Sequence, residues 1–139
     1  MKISRVFTLV VISAMIIVLA ACGGKSVTYA EGDQKDQAVA AADPIAKDIL
    51  DGMQQKDYTT FSKDFSDVML KGITEESFNS MVEKFSAYGT FKSSELVNVE
   101  VVDPYFRVNY KLTYDQKVLV MGVVIPQSGD VKVEGLWFK

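Results

Sequence analysis

The chain has 139 residues, 48% hydrophobic and 24% charged, with 15 Lys plus Arg against 18 Asp plus Glu, enough for one domain and too short for two. It has no histidine and a single cysteine, Cys22. Imidazole or thiol catalysis, a Cys/His zinc site and an intrachain disulfide are therefore excluded from the folded part, and no cofactor or metal is expected.

Lys2 and Arg5 open the chain, and Val6 to Ala21 is then almost wholly apolar, interrupted only by the hydroxyls of Thr8 and Ser13. This is the pattern of a secretory signal peptide. As a helix the segment would rise about 24 Å, short of the roughly 30 Å hydrocarbon core a permanent span must cross. It ends in Leu19-Ala20-Ala21-Cys22-Gly23-Gly24, which resembles the lipobox of bacterial-type lipoproteins. The resemblance implies cleavage before Cys22, a diacylglyceryl thioether on its sulfur, and attachment to the cell membrane on the extracytoplasmic side. Two acyl chains hold far more firmly than one. Removing residues 1–21 leaves 13 basic against 18 acidic residues, a net charge of −5. That balance argues against nucleic acid as a partner and against electrostatic attachment to anionic lipid.

Residues 22–42 are rich in Gly, Ser, Ala, Gln and mixed charge and read as the lipidated cysteine and a flexible tether, with Ala38 to Ala42 able to extend the first helix backwards. The domain is expected over 43–139. Asp43-Pro44 suits a helix start, and Ile45, Ile49, Leu50 and Met53 follow at helical spacing. Tyr58, Phe61, Phe65 and Met69 mark a short second helix or a pair of turns. Thr74-Glu75-Glu76 caps a third helix, whose stripe is Phe78, Met81, Val82 and Phe85, with Gly89 as its stop.

Beyond Gly89 the apolar period shortens to 2. Leu96 to Val102 is rich in strand formers, and Asp103-Pro104 makes a tight turn. In Tyr105 to Tyr114 the residues Phe106, Val108, Tyr110, Leu112 and Tyr114 alternate with Arg107, Asn109, Lys111 and Thr113, giving one buried and one wet face. Val118 to Ile125 is apolar on both faces and so central, and Val131 to Phe138 completes a four-strand antiparallel meander. Gly122 and Gly135 lie within the last two strands and suggest bulges or a sharp curve. Helices first and an antiparallel sheet second is an α+β order, with the helices on one face of a curved sheet.

The runs Gly52-Met53-Gln54-Gln55-Lys56-Asp57-Tyr58, Phe61, Phe65-Ser66, Ile73-Thr74-Glu75-Glu76, Tyr88-Gly89-Thr90-Phe91 and Val133-Glu134-Gly135-Leu136-Trp137-Phe138 resemble a group of domains of unknown function within the nuclear-transport-factor-2-like, or cystatin-like, cone fold. Cone folds commonly enclose a pocket between concave sheet and helices. Their members include isomerases, dehydratases, ligand binders and dimerisation modules, so fold alone does not assign activity.

No G-x-S-x-G elbow, phosphate loop, H-E-x-x-H or dinucleotide fingerprint occurs, and Asp64, Asp67, Glu75 and Glu76 lack the spacing of a calcium loop. The chain is accordingly read as a non-enzymatic binding or interaction domain that engages a small hydrophobic ligand or an envelope protein, with Tyr110, Tyr114 and Trp137 as candidate ligand-contacting residues. A small isomerase or lyase using a carboxylate and a tyrosine is the alternative. A structural homodimer is the third reading. Arg107, the sole arginine after Arg5, is expected to pair across the strands with Glu100 or Asp103.

Overall fold

The computed structural model describes residues 26–139. The signal segment and Cys22 lie outside the described residues. The first element is a two-residue strand, β1 (Thr28–Tyr29), followed by α1 (Gly32–Gln55), α2 (Tyr58–Phe61), α3 (Asp67–Gly72) and α4 (Glu75–Ser86). Strands β2 (Phe91–Val102), β3 (Tyr105–Tyr114), β4 (Val118–Pro126) and β5 (Gly135–Phe138) complete the chain. They form one open antiparallel sheet in the order β1-β2-β3-β4-β5, so the protein is α+β with five strands where the sequence suggested four.

The helix start differs most from expectation. α1 begins at Gly32, eleven residues before Asp43, so the second half of the expected tether is three turns of helix. Ala38 and Ala42 are buried there, continuing the stripe of Ile45, Ile49 and Met53. Alanines carry too little apolar surface to announce a face, but small side chains let α1 lie close to the sheet. Pro44 is thus inside the helix and has no N–H to donate to Ala40. An interior proline costs about 3 kcal/mol, whereas burying Ile45, Ile49, Leu50 and Met53 is worth roughly 1.5–3 kcal/mol each, so the helix runs through it.

The short helices are set by local caps. Lys56 adopts left-handed backbone (φ 58°) to end α1. Asp57 then accepts from the Thr59 N–H at 3.0 Å and the Thr60 hydroxyl at 2.6 Å to start α2. Ser66 and Thr74 cap α3 and α4 through bonds from Met69 and Ser77. Phe78, Val82 and Phe85 are buried, as the α4 stripe predicts, and Met81 packs against the core edge. Phe61 and Phe78 stack at 4.7 Å with Tyr58 and Phe65 beside them, and Phe85 contacts Phe138 at 4.9 Å.

The alternation of β3 is realised: Phe106, Val108, Tyr110, Leu112 and Tyr114 are buried under the helices, with Leu119, Met121, Val123 and Ile125 of β4 beside them. β4 is central, between β3 and β5. Two expectations need correction. The last strand starts at Gly135 and not at Val131, because Val133 bridges in parallel to Phe65 and ties the α2–α3 connection to the sheet end. Gly122 and Gly135 interrupt no register; the shifts fall in β2, at Phe91/Ser93 and Leu96/Asn98. Gly122 instead makes room for a side chain, since a Cβ there would meet the Trp137 indole Nε1 at 2.1 Å.

Candidate ligand cleft

α1 crosses the inner face of the sheet and diverges from the first half of β2, opening a cleft of about 570 Å³. Its helical wall is Asp43, Ala46, Lys47, Leu50, Asp51 and Gln54, its strand wall Phe91 to Ser94 with Leu96, and Tyr110 closes the bottom. A smaller recess of about 250 Å³ shares Gln54 and Phe91 with it and reaches Tyr114 between α1 and α4. The walls mix aliphatic and aromatic surface with hydroxyl, amide and charged groups, a more polar lining than that of most small-molecule pockets.

Tyr110 is buried, and its hydroxyl donates to Asp43 Oδ1 at 2.7 Å. Desolvation first, and the bond to Asp43 second, push its phenol well above the ordinary value of 10.0. The hydroxyl therefore stays neutral and serves as a donor. Tyr114 is also raised, by burial. At the rim the charges are matched: Lys47 pairs with Asp51, and Lys92 with Asp115 at 2.8 Å. Asp115 also accepts from the Thr90 N–H at 2.7 Å, and these partners, Lys92 foremost, lower its carboxyl to about 2.

Tyr110 and Tyr114 therefore share one face of β3 and reach adjoining recesses. Trp137 does not join them. It pairs in register with Gly122, which pairs with Asn109, and so lies on the opposite face of the sheet. There the Arg107 guanidinium sits 5.9 Å from its ring and donates to Glu100 at 2.8 Å, the cross-strand partner anticipated from the sequence. Asn109 donates to Asn98 at 2.7 Å and to Glu100 at 2.9 Å and is only 3% exposed, although it stands on the outward face. The Trp137 indole lies over Gly122, the cross-strand neighbour of Asn109.

Sequence reasoning missed Asp43 as a cleft residue, assigning it to a helix cap, and missed Leu50, Gln54, Phe91, Lys92 and Leu96. Asp43 and Tyr110 are 67 residues apart, and no local signal links them. Among the described residues no group of three or more Cys, Asp or Glu is placed to hold a metal, and no helix is long and apolar enough to cross a membrane. No family model, curated protein or solved structure matches the chain.

Proposed function

We propose that this protein is a lipid-anchored, extracytoplasmic binding domain built on a nuclear-transport-factor-2-like cone, and that its ligand seat is the cleft between α1 and β2. The observation that carries this reading is the cleft itself: about 570 Å³ between helix and sheet, lined by Leu50 on the helical wall, Leu96 on the strand wall and Tyr110 between them. The sequence Leu19-Ala20-Ala21-Cys22 supports the anchor. Native mass spectrometry of the full chain, purified after incubation with an envelope extract, tests the seat. A reproducible added mass of a few hundred daltons that disappears in Leu96→Lys supports it, and an adduct unaffected by that change refutes it. For the anchor, Cys22→Ser is expected to release the chain from the membrane fraction.

A second reading rests on the Asp43–Tyr110 pair, a carboxylate and a phenol 2.7 Å apart in a cleft, the two groups an isomerase or lyase would need. The hydroxyl is already committed to the carboxylate, so a substrate oxygen would have to displace Asp43 to receive its proton. Turnover that vanishes in Tyr110→Phe would establish this alternative.

A further inference from the structure

We propose that the ligand of this cleft is an extended peptide segment of another protein, added as a further strand to the free edge of β2; the inference rests on the cleft being the binding seat. β1 covers the outer edge of β2 only opposite Glu100 and Val101, and the Ala30 N–H reaches Val99 at 2.8 Å. At Gly32, whose φ of 52° turns the chain, the backbone leaves the edge to begin α1. Among the described residues nothing pairs with the outer edge of β2 from Phe91 to Asn98. That stretch presents unpaired backbone donors and acceptors, the groups an incoming strand satisfies.

The cleft lies along this same edge, with α1 as its far wall. A strand hydrogen-bonded to Ser93–Leu96 would place alternate side chains on the inner face, next to Ser94 and Leu96 and opposite Leu50 and Gln54. Leu96 is an inner-face residue left 38% exposed, and a ligand side chain would cover it. With the rim lysines paired with Asp51 and Asp115 and the Asp43 carboxylate in the wall, the site favours extended backbone and apolar side chains two residues apart over an acidic ligand.

Two other occupants fit less well. β1 is antiparallel to β2 with Thr28 opposite Val101 and Tyr29 opposite Glu100, so the chain enters β1 at the Val101 end of the edge, away from the open stretch. For a second copy, edge pairing over Ser93 to Leu96 spans only about 14 Å at roughly 3.4 Å per residue and falls well short of the roughly 800 Å² per partner of a stable interface, whereas a peptide on the same edge is also covered by α1.

The test is selection of a displayed library of random ten-residue peptides on the full-length chain in nanodiscs, with empty nanodiscs as counter-selection. Enriched sequences should carry apolar residues at positions i and i+2 and slow amide hydrogen exchange at Ser93–Leu96. N-methylating alternate peptide nitrogens should weaken binding about tenfold in one phase only, as should Leu96→Lys on the protein. Peptides that bind without protecting these amides, or an N-methyl scan without alternation, would overturn the proposal, as would a dimer that protects Ser93–Leu96 in the absence of peptide. If no peptide is enriched while a small-molecule adduct sensitive to Leu96→Lys is found, the cleft remains the seat and the peptide is wrong. If neither binds, both readings fall.

Discussion

The pairing of Gly122 with Trp137 makes a sharp prediction. A methyl group at position 122 would lie 2.1 Å from the indole Nε1 and 2.2 Å from Cε2, well inside any van der Waals contact, so Gly122→Ala must expel the ring from its seat. The backbone is held in register on both sides, by Asn109 and by Trp137 itself, and the side chain is the part that can move. Displacing a packed side chain in this way costs about 1–3 kcal/mol, and separating the indole from Arg107 removes about 0.5–1 kcal/mol more. Replacing a strand glycine by alanine returns about 0.5–1 kcal/mol. The expected net loss is about 2 kcal/mol, a fall of roughly 1 M in the urea midpoint. Trp137 is the sole tryptophan, so its emission reports the event directly: the folded variant should emit at longer wavelength than the parent. In a Trp137→Ala background the same glycine change should become neutral or mildly stabilising, measured by circular dichroism. A Gly122→Ala protein as stable as the parent, with unchanged emission, would refute the assignment of this glycine as the indole's seat.

Gly52 meets a less forgiving neighbour, since a Cβ there would lie 2.4 Å from the backbone nitrogen of Phe61; Gly52→Ala should lose about 3 kcal/mol in chemical denaturation despite a helix-propensity gain of about 1 kcal/mol. Tyr110→Phe removes a hydrogen bond to an exposed carboxylate and should cost about 0.5–1.5 kcal/mol near neutral pH. Because the folded phenol lies above 10.0, the neutral hydroxyl stabilises the fold fully below about pH 10, and that contribution is lost as pH rises beyond it. The variant's stability should therefore fall less steeply on the alkaline side, leaving the part due to Tyr114. Asp115 works in the opposite sense: with its carboxyl lowered to about 2, its contribution is present above the usual 3.8 and disappears as pH falls toward 2. Asp115→Asn should lower the thermal midpoint at pH 7 and have little effect at pH 2.

The sequence determined what depends on near neighbours. The Thr74 cap and the Phe78, Val82, Phe85 stripe specify α4 because capping and helical burial are read within one or two turns. The alternation from Phe106 to Tyr114 assigns each β3 side chain to a face because strand period is local, and the two-sided apolar run of β4 places it centrally. These patterns also put Tyr110 and Tyr114 together. What they do not contain is the distance between elements. The patterns allow Ala38 to Ala42 to extend α1 backwards but do not reach its start at Gly32, because Ala38 and Ala42 are apolar enough to be buried but too small to mark a periodic face, and their value appears only when the sheet is brought close. β1 is two residues long and is a strand only through pairing with Glu100 and Val101. The cleft, the Asp43–Tyr110 bond across 67 residues, the open edge of β2 and the use of Gly122 as a seat for Trp137 all follow from how α1 lies on the sheet and from strand register, which only tertiary packing sets.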